Sequence, residues 1–236
     1  MVAIVRFLLC TSCLLSVASA SATDKEVVYR VAPYVWTAGI DGDLGPPQFV
    51  TNADVSFSDY AKFVDAGFAF AAEARGDKWS IAGDFLWVKL SDDVDLPENT
   101  LNFENEQYLI ELALSYRPDA WESVRPLVGM RYTKMDTKFE VDGVGETDIG
   151  DTWIDPFIGV EWRSRRGAFE WAVETDIGGG VDADFTWAYL IGGSYFLSDG
   201  VAISASYRFI DIDFDSDEFV FDGTMEGLLL GVLMEF

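Results

Sequence analysis

Apolar and polar residues alternate along most of this chain with a period of two. In "FTWAYLIGGSYFLSDGVAISASYRFIDIDFD", Phe185, Trp187, Tyr189, Ile191 and Tyr195 share one parity, and Thr186, Ala188, Gly192 and Ser194 the other. That is the pattern of a β-strand with two unlike faces. Asp199 and Gly200 supply the tight turn, and Val201, Ile203, Ala205, Tyr207 and Phe209 resume the apolar parity against Ser204, Ser206 and Arg208. The same unit recurs upstream. Phe68 and Phe70 then Trp79, Ile81, Phe85 and Trp87 alternate with Glu73, Arg75, Ser80 and Asp84; Tyr108 to Tyr116 pairs with Val124 to Tyr132; and Ile154 to Trp162 pairs with Phe169 to Thr175. With "VVYRVAPYVWTAGI" in front and "GLLLGVLMEF" behind, the pattern predicts about ten antiparallel strands, eight being the alternative.

The face of each stripe decides the solvent. A soluble sandwich turns its apolar parity to a core and asks nothing of where aromatics lie along a strand. Here they gather near strand ends: Trp79, Tyr116, Trp121, Trp162, Phe169, Tyr195 and Phe236 beside short turns, and Trp36, Trp87, Phe103, Trp153, Phe185, Trp187 and Phe209 toward longer acidic connections near 41–63, 92–100, 140–151 and 211–219. Two aromatic girdles, short turns at one end and long loops at the other describe a transmembrane barrel. Leu228, Leu230, Val232, Met234 and Phe236 share one parity, so the last run is a lipid-facing strand that must pair with the first. An open edge would leave backbone groups unbonded in hydrocarbon. The fold class is therefore all-β, a transmembrane up-and-down antiparallel β-barrel.

On Phe236 and the alternating apolar positions before it, the chain resembles the small outer-membrane β-barrel proteins of Gram-negative bacteria, a porin-like group with many functions. The resemblance implies insertion by the barrel-assembly machinery and contact with outer-membrane lipid and lipopolysaccharide. A start with one Arg, an apolar run "FLLCTSCLLSVA" and small residues reads as a signal peptide over 1–22, leaving a single barrel domain over 23–236. Cys10 and Cys13 fall inside that signal, so no disulfide framework is expected. The net charge of -25 argues against nucleic acid as a partner. The barrel is expected to be a monomer.

Function has to be sought on the inward parity. It places Asp84, Glu111, Arg131, Glu174 and Arg208 at one level inside the barrel, as an ion-pair cluster filling the lumen or as a selectivity ring. Arg163 and Glu170 are expected to face each other nearer the turns. Several outer-membrane enzymes of this size, including acyltransferases, deacylases and the omptin proteases, resemble one another in using a histidine base, and this chain has none, so no enzyme is expected. Asp211, Asp213, Asp215 and Asp217 alternate at a strand tip and are oxygen ligands of the kind that suit Ca²⁺ or Mg²⁺, without the spacing of a calcium loop. They form an acidic rim that could hold a divalent cation loosely; no other cofactor is expected. Asp54 to Asp65 reads as a short amphipathic turn anchored by Tyr60 and Phe63. The leading reading is a structural or surface-interaction barrel. Its rivals are a narrow channel for small cationic or neutral solutes and a soluble ligand-binding barrel.

Overall fold

A computed structural model describes residues 27–95, 100–141 and 145–236. The proposed signal segment and both cysteines lie outside them. Among the described residues there are twelve strands: β1 (Val28–Trp36), β2 (Gly39–Gly45), β3 (Thr51–Val55), β4 (Val64–Arg75), β5 (Trp79–Asp95), β6 (Thr100–Tyr116), β7 (Val124–Val141), β8 (Gly145–Arg166), β9 (Phe169–Gly178), β10 (Phe185–Ser198), β11 (Val201–Asp215) and β12 (Val220–Glu235). Each pairs antiparallel with its neighbours, and β1 returns to β12, closing the sheet. β1 and β2 are one staircase along β12: Trp36 opposite Leu229 and Gly39 opposite Glu226 keep a single register, interrupted at Thr37 and Ala38. β3 only extends β2 at the loop end. The closed barrel therefore has ten strands. Its seam ends where Tyr29 and Phe236 exchange backbone hydrogen bonds of 3.1 and 2.9 Å.

The apolar parity faces outward. In β7 and β8, Val128, Met130 and Ile158 are 54%, 54% and 61% exposed, while Arg131 and Asp155 on the other parity are 1% and 0% exposed. Short turns and both ends of the described chain share one end of the barrel, which makes that end periplasmic by the usual arrangement of such barrels. At the opposite end the strands run further than the sequence suggested. In the connections expected near 92–100 and 140–151, the described residues 92–95, 100, 140, 141 and 145–151 are strand, and β8 reaches 22 residues. A crossing takes only about 9–11, so the sheet projects well beyond the lipid.

Along β11 the two faces exchange character. Outward positions run from Val201 through Phe209 and then turn acidic at Asp211, Asp213 and Asp215; inward positions run from Ala202 to Arg208 and then turn apolar at Ile210, Ile212 and Phe214. The exchange marks the upper boundary of the lipid band. Above it the inside is an apolar core in which Trp153, Phe221, Met225, Leu109 and Met135 join Ile210, Ile212 and Phe214. Trp153 stacks on Phe214 with ring centroids 4.2 Å apart and planes 14° from parallel. This corrects the sequence reading for Trp153 and Trp36, assigned to the outer girdle; Trp153 is 1% exposed inside the barrel, and Trp36 packs against the same core. Phe103, also assigned to that girdle, sits on the inward parity beside Phe139, with centroids 5.5 Å apart.

Two loops finish the outer end. The segment expected as an amphipathic turn takes in the end of β3 and the four-residue α1 (Phe57–Tyr60), and Tyr60 donates to Gln107 Oε1 at 2.9 Å. A salt bridge from Lys62, with a further bond from Ser56, holds the Asp59 carboxyl below its usual range. The loop between β9 and β10 folds inward at Gly179 and Gly180, whose φ of 106 and 82° favour glycine. Ala183 is thereby buried and donates its N–H to Asp155 Oδ1 at 3.0 Å.

Close approach fixes one further glycine. A Cβ on Gly129 would lie 2.3 Å from the Phe157 ring and 2.6 Å from the Leu112 carbonyl. Gly129→Val should therefore lower stability by about 1–3 kcal/mol. It should also reduce the folded fraction seen as heat-modifiable migration on detergent gels; a wild-type folded fraction and melting midpoint would show that the ring can move aside.

Candidate functional site

The inward residues of the lower part of the barrel include small and apolar side chains, among them Phe157, Phe196 and Leu233, and charged ones that join into two ionic layers. The upper layer gathers four of the five residues singled out in the sequence. Arg208 binds Asp84 at 3.2 Å and Glu111 at 2.5 Å; Arg131 binds Glu111 at 2.5 Å and both oxygens of Asp176 at 3.0 and 3.1 Å. Thr186 accepts from Arg131 at 3.0 Å and donates its hydroxyl hydrogen to the Asp211 carbonyl at 2.9 Å, while Tyr34 donates to Asp84 at 2.7 Å. Arg131 and Arg208 also lie over the Phe157 and Trp36 rings, 5.2 and 5.3 Å from the centroids. Charge-assisted bonds of this kind are the strong ones. Because Asp84 is on β5 and Arg208 on β11, the network spans the lumen as well as adjacent strands.

Glu174 is not part of that network. On β9 it stands opposite Glu161 of β8 and Leu190 of β10. Asp176, two residues on, takes the place expected for it. Asp176 lies on the inward parity of the same strand, and that parity was the only signal available for it.

The lower layer was visible in the sequence only as alternating charge. Arg163 bridges Glu73 at 2.8 Å and Glu161 at 3.0 Å; Arg75 bridges the same two at 2.8 and 2.5 Å; Ser80 donates to Glu73 at 2.7 Å. Arg30 forks onto Glu170 at 2.7 and 2.9 Å and also binds Glu235 at 2.6 Å. The pairing expected between Arg163 and Glu170 is displaced by one step: Arg165 is the residue opposite Glu170, Arg163 is opposite Ala172, and its Nε lies 3.9 Å from Glu170. The tight turn is centred on Gly167 and Ala168, one residue later than that pairing requires, and each such shift moves the cross-strand partner by two.

A cavity of about 260 Å³ lies between the two layers, bounded by side chains from both and by small residues such as Ala82, Ala113 and Ala172.

The aspartates considered for a cation are elsewhere. Asp211, Asp213 and Asp215 point out from β11, and Asp217 is in the turn beyond it. The sheet adds acids that the sequence could not place beside them: Asp213 is opposite Asp222, which is opposite Asp43, and Asp41 is opposite Asp54. They spread along an outer face, and among the described residues no group of three or more acidic, histidine or cysteine side chains is gathered to hold a metal.

A family model described as the outer membrane protein beta-barrel domain matches residues 10–232. The chain belongs to this family. It is a protein of the bacterial outer membrane, and the soluble ligand-binding barrel is thereby set aside. No curated protein sequence matches it. Among solved structures, the outer membrane protease OmpT of Escherichia coli is 10% identical, covers 89% of this chain and 97% of its own, and superposes with a TM-score of 0.52. Ail, the attachment invasion locus protein of Yersinia pestis, is 13% identical over 90% of this chain and 100% of its own, with a TM-score of 0.44. At 10% identity the first likeness is one of fold, and the second score is too low to bear on more.

Proposed function

We propose that this outer-membrane barrel is a closed structural or surface-interaction protein, without catalytic activity and without a steady pore. One observation carries the reading: the lumen is crossed at three levels, by the Arg163–Glu73–Arg75 layer, by the Arg208–Glu111–Arg131 layer and by the Trp153–Phe214 core. A ten-stranded barrel has a lumen only a little wider than side chains fill, and each arginine here is tied to at least one carboxylate. Catalysis finds little support, because the chain has no histidine and each carboxylate of the upper layer is paired with Arg131 or Arg208. What remains for function is the exterior: a lipid-facing apolar band, an acidic face above it and the projecting β5–β8 sheet. Lipid and lipopolysaccharide are the partners that such a band and rim meet first, and assembly as a monomer by the barrel-assembly machinery completes the reading.

Recording from the purified protein in planar bilayers tests it. The expected result is no steady single-channel conductance in KCl. Reproducible unitary steps would establish a narrow channel instead.

A further inference from the structure

The cavity between the ionic layers is short of positive charge. Carboxylates along its wall outnumber guanidiniums seven to four. Each of those four arginines is already engaged: Arg30 by Glu170 and Glu235, Arg131 by Glu111 and Asp176, Arg163 by Glu73 and Glu161, and Arg208 by Asp84 and Glu111. Glu174 lines the same cavity and makes no hydrogen bond or ion pair among the described residues. Its cross-strand partner on one side is a second carboxylate, Glu161, and on the other the apolar Leu190. Like charges directly opposite on one face of a sheet repel, and an ionised carboxylate removed from bulk water needs a counter-charge.

Glu161 differs from Glu174 in having two arginines, Arg75 and Arg163, at 2.5 and 3.0 Å. The charge left over at this level is therefore one. The volume, about 260 Å³, holds several waters at roughly 30 Å³ each, enough for an ion that keeps part of its hydration shell. We propose that the cavity binds one compact monovalent metal cation between the Glu174 and Glu161 carboxylates, as a fixed counter-ion inside the barrel. The ion offsets the one carboxylate at this level that no arginine meets.

Melting of the detergent-solubilised protein, followed by heat-modifiable migration, tests the site in KCl against choline chloride at equal concentration, choline being too large for the cavity. A ligand that binds only the folded state raises its midpoint. The wild type should melt roughly 2–4 °C higher in KCl. Glu174→Gln should melt at one temperature in both salts. Leu190→Lys, which supplies an ammonium opposite Glu174, should also lose the difference and melt above the wild type in choline. In crystals grown with RbCl, an anomalous peak is expected between Glu161 and Glu174. Three results would overturn the site: no salt difference in the wild type, which means that Glu174 carries a proton instead; a difference that survives in Glu174→Gln, which puts the ion on the acidic exterior; or no rubidium peak. Steady conductance with an intact Glu174-dependent shift would count against the closed lumen and leave the site standing.

Discussion

Arg131→Ala is expected to lower stability by about 3–5 kcal/mol, the cost of leaving one member of a buried ion pair uncompensated. The guanidinium is 1% exposed, contacts Glu111, Asp176 and Thr186, and lies over Phe157, so no water replaces it without opening the layer. Asp176 would lose its cation, and Glu111 would keep only Arg208. The double variant Arg131→Met with Asp176→Asn should recover part of the loss, because the unpaired charge leaves with its partner, and the non-additivity measures their coupling. Denaturant unfolding in detergent reads the first effect. No steady conductance is expected from this variant alone, because the Arg163–Glu73–Arg75 layer below and the Trp153–Phe214 core above still cross the lumen. Unchanged melting would show that the network does not support the barrel, and steady conductance would show that this layer alone closes it.

Trp153→Ala is expected to cost as much, about 3–5 kcal/mol, for a different reason. Its indole is 1% exposed and stacks on Phe214 at 4.2 Å, with the Phe221 ring 6.4 Å away, so truncation opens a void in the apolar core that its neighbours fill only in part. This variant should lose stability without conducting, since the two ionic layers beneath it stay intact. The combination with Arg131→Ala should conduct more than Arg131→Ala alone. Conductance from Trp153→Ala by itself would place the barrier in the apolar core and not in the ion pairs.

The strand count, the closure of the last strand on the first and the outward face of each strand all follow from period-two alternation, because a barrel in lipid has one solvent on each face. Parity is a local property. The identity of ion-pair partners is not, since Arg208 reaches Asp84 across the lumen and the shear between strands decides which levels meet. Hence Asp84, Glu111, Arg131 and Arg208 were legible as a level, while the isolation of Glu174 and the role of Asp176 were not. Trp153 lies inside despite its place near a strand end, because parity and not distance from the turn sets the face: with Ile154 facing lipid, its neighbour has to face in. "DIDFD" carried more than its acids. Asp211, Asp213 and Asp215 report the outside above the lipid, and the intervening Ile212 and Phe214 report an apolar inside, a change of phase that locates the membrane boundary from sequence.

All of this rests on β7 presenting one row of side chains to hydrocarbon and the other to an enclosed interior. Nitroxide labels attached one at a time to cysteines at positions 127, 128, 130, 132 and 133, in reconstituted bilayers, measure it through collision with oxygen, which partitions into lipid, and with a water-soluble nickel chelate. Oxygen collision maxima are predicted at 128, 130 and 132, with 127 and 133 shielded from both reagents. Maxima at the odd positions, or nickel accessibility equal to that of a label in bulk water there, would contradict it.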